Sequence, residues 1–261
     1  MLLTFDLDGV VMKNPFSTGV FPEVTRRIGE KTGLSHQQIL EPIIAEARSR
    51  MALGKMVDAY NWDEIVSLVA RRLGFTEPID IAALVRRFSV PGHIYVYPGV
   101  PETLEFLRSV NHNLVVLTNG FRKYQLPVLQ ALGVADFFDA IFTPEVSGTA
   151  KPHREFFLQP QKRYPGPHIH VGDMIIHDIM GANQVGATSV WVCHDLPPSV
   201  AALPIRERTS HAQMEELVSR GIQRDLNASD YSGLTIASCM PGFVIRSFGE
   251  LVDVVGMLTQ C

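Results

Sequence analysis

Residues 1–12 read MLLTFDLDGVVM, an apolar run over residues 2–7 that is closed by Asp8-Gly9. Such a run suits a buried strand, and in extended chain Asp6 and Asp8, two residues apart, face the same side. In open α/β sheets ligands gather outside the carboxyl ends of the strands, so this acid pair stands where a site is expected. Taken alone, it reads equally well as a strand end followed by a solvated Asp-Gly turn. The downstream chain decides the fold. After YVYPGVPETL (95–104), short apolar runs at 114–117, 140–142, 169–171 and 189–193 alternate with helical patterns at 125–132, 153–161 and 176–185. A last unit follows, a run at 243–245 and SFGELVDVVGML at 247–258. That alternation calls for an α/β fold, a Rossmann-like, doubly wound and mainly parallel sheet with helices on both faces.

The intervening stretch has a different texture. PEVTRRIGEKTG (22–33), SHQQILEPIIAEARSRMAL (35–53), NWDEIVSLVARRLGF (61–75) and DIAALVRRFSV (80–90) space their apolar residues by three and four. Ser35 and Asp80 stand where helix starts are expected. The expected organisation is therefore a core made of residues 1–14 and 92–261, with residues 15–91 inserted as an all-helical domain. Residues 196–240 form an atypical insertion within that core, with a helical piece HAQMEELVSRGI (211–222) and a candidate strand LTIASC (234–239).

Three further strand ends carry chemistry. The run at 114–117 leads into Thr118-Asn119-Gly120, a hydroxyl, an amide and a glycine that allows close backbone approach, a set that suits an anion. Lys151 precedes Pro152 at a helix start, as a fixed positive charge or as a solvated one. Asp173 ends the run at 169–171 and Asp178 follows; as ordinary structure they would be a helix cap and a solvated helix residue. Convergence of acid pair, hydroxyl, lysine and acid at one sheet edge is the expectation. His168, His170 and His177 offer a rival imidazole metal site, but the first two share a strand face below the strand tip, without ligand-like spacing, and packing or surface positions are the expected role.

Composition narrows the function. The chain has 261 residues, 46% apolar and 19% charged, with net charge -4, which suits a globular protein and gives no general attraction to nucleic acid or anionic membrane. Cys193, Cys239 and Cys261 lack the paired spacing of a zinc site or a disulfide framework, so a reducing compartment fits. No basic segment or cleavage-like site accompanies the first apolar run, and none approaches the roughly 20 residues of a membrane span. A cytoplasmic location is the default expectation, with a small molecule as partner and oligomeric state unread.

FDLDGV (5–10), LTNG (117–120), the lysine of AKP (150–152) and VGDMIIHD (171–178) occur in the order of the four motifs of haloacid-dehalogenase-like hydrolases, which this chain resembles. The helical stretch between the first two motifs resembles that family's first type of cap, as in its phosphatase branch. The resemblance implies a phosphohydrolase acting on a small phosphorylated metabolite. Asp6 is implied as the nucleophile, Asp8 as the acid and then the base, and Lys151 as the charge that offsets Asp6. Thr118 and Asn119 are implied to bind phosphate oxygens, and Asp6, the Asp8 carbonyl and Asp173 to hold Mg2+. Asp178 is implied to support Lys151 or the metal's water from behind. An ionised Asp6 is expected to keep Asp8 protonated. A dehalogenase needs no second aspartate, so Asp8 counts against one. A phosphomutase keeps both acids, and a non-catalytic binding protein need keep neither. Arg48, Arg50, Lys55 and Trp62 are the cap's candidates for substrate selection, against a purely structural role for each.

Overall fold

The computed structural model describes residues 1–225 and 234–259, so residues 226–233 of the expected insertion and Cys261 lie outside the described residues. Eight strands are described: β1 (Leu2–Phe5), β2 (Met12–Lys13), β3 (Tyr95–Val96), β4 (Asn113–Leu117), β5 (Ala140–Phe142), β6 (His168–Gly172), β7 (Thr188–Val192) and β8 (Phe243–Ile245). Six of them form one parallel sheet in the order β5-β4-β1-β6-β7-β8, while β2 and β3 pair antiparallel. The chain runs outward from β1 through β4 to β5, then returns to β6 on the other side of β1. That reversal makes β1 the switch point, where a crevice opens beyond the carboxyl ends of its neighbours. Both faces of β1 and of Leu114–Leu117 in β4 are buried, which is why these strands read as apolar runs with little alternation. The architecture is the Rossmann-like α/β core expected, with an inserted helical cap.

The cap lies between β2 and β3 and contains helices Phe21–Thr32, His36–Ala52, Trp62–Arg72 and Ile81–Phe88. Their starts follow local chemistry. Ser35 accepts from Gln38 N while Gln38 Oε1 accepts from Ser35 N, a reciprocal cap, and Asp80 Oδ1 accepts from Ala83 N at 2.8 Å. Val24, Ile28, Ile39, Ile65, Val66 and Val85 from these helices join Phe5, Val116 and Val171 of the sheet in one apolar cluster. Cap and core are therefore packed together rather than merely tethered.

Several boundaries differ from expectation. The first strand ends at Phe5 because Leu7 O accepts from the amides of Val10, Val11 and Met12, which curls the chain after Asp6. Residues 234–239 contain no strand: Thr235 and Ser238 cap each other reciprocally and start the short helix Ile236–Cys239. The β-branched Thr235-Ile236 pair suggested a strand, but the Thr-x-x-Ser spacing prevailed. The helix expected at 176–185 begins as a π-turn, Ile175–Met180.

The stretch after β7 builds a second apolar cluster, in which Leu196, Val200, Met214, Leu217 and Val218 cover Ile175, Ile176 and Trp191. Arg208 ties it to the sheet, donating to Glu250 Oε1 (2.7 Å), Glu250 Oε2 (2.9 Å) and the carbonyls of Ala201, Leu203 and Val244. Cys193 and Cys239 are buried free thiols. Among the described residues no helix is long and apolar enough to cross a membrane.

Two strand histidines are packing residues, as expected, but neither is at the surface. Thr4 Oγ1 of β1 lies 2.7 Å from His168 Nε2 and 2.8 Å from His170 Nδ1. Burial, helped by His170, lowers His168 from 6.5 to about 3. The unfolded chain therefore takes up a proton that the folded chain refuses. The stability His168 contributes is complete above about pH 6.5 and is lost as pH falls toward about 3. His168→Gln should flatten this acid limb: between pH 6.5 and 4.5 wild type should lose roughly 2 kcal/mol more than the variant in urea unfolding.

Candidate active site

Asp6 follows β1, Thr118 follows β4 and Asp173 follows β6, so three adjacent central strands deliver their next side chains to one crevice. Lys151 reaches it from the loop after β5. Its Nζ lies 2.7 Å from Asp6 Oδ1 and donates to Asp178 Oδ1 at 2.6 Å. With only 2% of its surface exposed, Lys151 is a buried cation held between two carboxylates. Burial opposes its charge, yet Asp178 and Asp6 raise its affinity for the proton above that of a free lysine.

Asp178 is fully buried behind this pair. Its Oδ1 also lies 3.1 Å from His170 Nε2, and its Oδ2 accepts from Met174 N at 3.0 Å. Burial resists its ionisation, but Lys151 and His170 overcome that and hold its carboxyl well below the usual range. Asp6 moves the other way: burial and the charge of Asp178 outweigh Lys151 and push it up to about 6. Asp173 is also raised well above the usual carboxylate range, by burial and then by Asp178 and Asp6.

The three carboxylates bring one oxygen each within 4.8 Å of one another, and Asp173 Oδ1 is buried without a hydrogen-bond partner. An orphaned acceptor beside mutually repelling carboxylates fits a hard, oxygen-seeking cation. No histidine joins this group, so the imidazole site is set aside; His177 is held down to about 4 by burial and is neutral near pH 7.

Asp8 is raised as well, but the physical reason differs from the expected one. Burial raises it, while the Asn14 amide donating to its Oδ1 at 3.0 Å and the charge of Lys13 oppose this. Burial, rather than the charge of Asp6, is the leading cause. Gly9, with φ of 89°, passes so close to Asp173 that an added Cβ would lie 2.5 Å from Asp173 Oδ2.

Thr118 is buried, and its Oγ1 accepts from Gly120 N at 3.2 Å. The Asn119 side chain brackets the Lys151 backbone, accepting from its N at 2.8 Å and donating to its O at 3.1 Å. Asn119 also donates to Tyr60 Oη of the cap at 2.9 Å. A cavity of about 350 Å³ collects Asp6, Asp8, Thr118, Asn119, Lys151 and Asp173, with Phe16, Phe21, Trp62 and Tyr124 as an aromatic wall. The sequence-predicted residues thus meet at one place, with Asp178 behind them. A larger open groove of about 870 Å³, beside Phe106, Val110 and helix Leu251–Thr259, gathers no comparable set of acids.

Of the four cap candidates, only Trp62 lines the cavity. Arg48 and Lys55 are exposed, and Arg50 is engaged by Glu46 Oε1 (3.1 Å), Glu64 Oε1 (3.2 Å) and Asp58 O (3.0 Å). Sequence reasoning missed the residues that brace the Asp173 loop. Arg224 Nη2 (2.8 Å) and Trp191 Nε1 (3.0 Å) both donate to Asp173 O, and Asp225 Oδ2 accepts from Ile176 N at 2.7 Å. Arg224 and Asp225 lie about 50 residues beyond the acid they support, and no local pattern links them to it.

A protein-family model described as haloacid dehalogenase-like hydrolase matches residues 1–186. A glyceraldehyde 3-phosphate phosphatase of Methanocaldococcus jannaschii is 27% identical over 272 aligned residues, covering 99% of this chain and 98% of its own. A glyceraldehyde 3-phosphate phosphatase of Methanopyrus kandleri is 31% identical over 161 residues, 59% of this chain and 69% of the relative. A crystal structure of a HAD phosphatase from Thermococcus onnurineus shares the fold, with a TM-score of 0.68, 23% identity, and coverage of 98% of this chain and 97% of that one. The matched stretch includes Asp6, Asp8, Thr118, Lys151 and Asp173 of the crevice, and the chain belongs to the haloacid dehalogenase-like hydrolase family.

Proposed function

We propose that this chain is a magnesium-dependent phosphohydrolase that cleaves a small phosphate monoester by way of a phosphorylated Asp6. Hydrolysis of a phosphate ester rests on the family and on phosphatase relatives, one of which spans nearly the whole chain. The finer reading is carried by one observation: Asp6, at the tip of the central strand, touches Lys151 and stands within ligand distance of Asp173 in a small cavity. The same reading divides the chain into a catalytic core of residues 1–14 and 92–261, a cap of 15–91, and an insertion at 196–240.

In this mechanism Asp6 attacks phosphorus in line while the bond to the ester oxygen breaks, and Asp8 gives its proton to that leaving oxygen. Burial suits Asp8 to this role by keeping its carboxyl protonated to higher pH. Asp8 then takes a proton from water as that water attacks phosphorus, the bond to Asp6 breaks, and phosphate leaves. Thr118 Oγ1 and the Asn119 backbone amide receive the phosphoryl oxygens, and Lys151 offsets the charge on Asp6 throughout. Asp6, the Asp8 carbonyl and Asp173 would hold Mg2+, which supplies the positive charge that lets two neighbouring carboxylates and a phosphate dianion share the site. Asp178 fixes Lys151. The cap excludes water, with Tyr60 on Asn119 and Asp63 between Tyr124 and Lys123 (2.9 and 2.5 Å) closing it on the core.

Phosphate release from a panel of phosphorylated metabolites and p-nitrophenyl phosphate tests the reading. Release should occur with Mg2+, stop with EDTA and return when Mg2+ is restored. Folded, magnesium-loaded protein that released phosphate from no panel member would count against hydrolysis and favour a mutase or a binding protein.

A further inference from the structure

Lys13 is the second cation of the cavity, and none of the steps above uses it. It sits in β2, where Met12 is buried and pairs with Val96, so the alternation of the strand turns Lys13 to the opposite side, over the crevice. The next residue anchors it there, since Asn14 N donates to Asp8 Oδ1 at 3.0 Å. The chain at Lys13 is thus held beside the acid that serves the leaving oxygen.

Its ammonium has no ion-pair partner in direct contact, although the Asp8 carboxyl feels its charge. Among the described residues no carboxylate forms an ion pair with Lys13 and no aromatic ring receives it, whereas Lys151 is spent on Asp6 and Asp178. Lys123 of helix Arg122–Ala131 is likewise spent on Asp63. The nearby Asn14 Oδ1 is occupied by Phe16 N at 3.0 Å. Phe16, Phe21 and Trp62 line the same cavity and offer no anion. A partly buried ammonium beside such a wall gains most from an anion that arrives with the ligand.

We propose that Lys13 is a specificity-determining residue that selects phosphate monoesters carrying a second anionic group, a carboxylate or a second phosphate, within a few bonds of the leaving oxygen. The reading rests on the proposed phosphatase. Position gives the second half of the statement: Lys13 neighbours Asp8, and Asp8 serves the leaving oxygen, so the second anion cannot be far from it. The cavity of about 350 Å³ has room for such a small skeleton with both anions inside it. A compact, hydrated point charge recognises either anion, which is why a lysine specifies charge here and not geometry.

The test compares 3-phosphoglycerate with glycerol 3-phosphate, which differ by a carboxylate in place of a hydroxymethyl group, and adds 1,3-propanediol bisphosphate as the second-phosphate arm. Wild type should favour at least one anion-bearing ester in kcat/KM over the neutral one. In Lys13→Met that ratio should fall about 10- to 100-fold, and Lys13→Arg should keep most of it. An equal loss for all three esters would mean that Lys13 acts through Asp8, and an unchanged ratio would mean that it faces solvent; either overturns the proposal. If wild type hydrolyses nothing, the phosphatase reading fails, and calorimetric binding of the same three ligands to Asp6→Asn, with and without Lys13→Met, judges Lys13 separately by the same ratio.

Discussion

Asp6→Asn should lower phosphate release by at least about a thousandfold while the protein stays folded. The amide is nearly isosteric, so the strand tip keeps its shape and the Asp6 N to Val171 O bond of 2.9 Å is untouched. What is lost is the attacking oxygen, and nothing else at the crevice replaces it: Asp173 is one of the carboxylates read as metal ligands, and Asp178 is buried behind Lys151. The charge change runs in favour of folding, since burial already pushes Asp6 up to about 6. Stability in urea should therefore be equal to or above that of wild type while kcat collapses. A parallel fall in stability and activity would mean that Asp6 is a structural residue.

Lys151→Met should remove both activity and a large part of the stability. The lysine lies 2.7 Å from Asp6 and 2.6 Å from Asp178, and methionine fills its volume without its charge. Loss of the charge that faces the transferring group should cost about a thousandfold in kcat/KM. Removing one partner of a buried ion pair typically costs about 3 to 5 kcal/mol, because the carboxylate left behind must ionise without a counterion or stay protonated. The sign with pH follows. In wild type the Asp178 carboxyl is depressed, so its contribution is present above 3.8 and is lost as pH falls below that value. In the variant only His170 is left to oppose burial, so the carboxyl rises, and the deficit against wild type should be larger at pH 8 than at pH 5. Urea unfolding at both pH values reads this directly; an equal deficit at both would contradict the coupling.

The fold was legible because its core strands are buried on both faces. Runs such as LLTF and LVVL have no solvent side to interrupt them, and each ends at a polar residue that turns out to face the crevice. Asp6, Thr118 and Asp173 share this position, so three adjacent parallel strands align them without any long-range information. Lys151 was legible only through its order in the chain. The supporting residues were not readable because their partners are distant: Arg224 reaches the Asp173 carbonyl, Asn119 brackets the Lys151 backbone, and Arg208 spans to Glu250. Arg50 looked like a free cap cation until Glu46 and Glu64 were found around it. The cause of the raised Asp8 also needed the structure, since proximity in sequence suggested repulsion from Asp6 where burial is what acts.

The most direct test of the account traps the phosphorylated chain itself. Mg2+-loaded protein would be mixed with excess substrate, quenched in acid within milliseconds, reduced with borohydride and digested for peptide mass analysis. Borohydride converts an aspartyl phosphate to homoserine, so the account predicts homoserine at position 6, dependent on substrate and Mg2+ and absent from Asp6→Asn. Homoserine at Asp8, Asp173 or Asp178 instead, or none at any position while turnover survives Asp6→Asn, would contradict it.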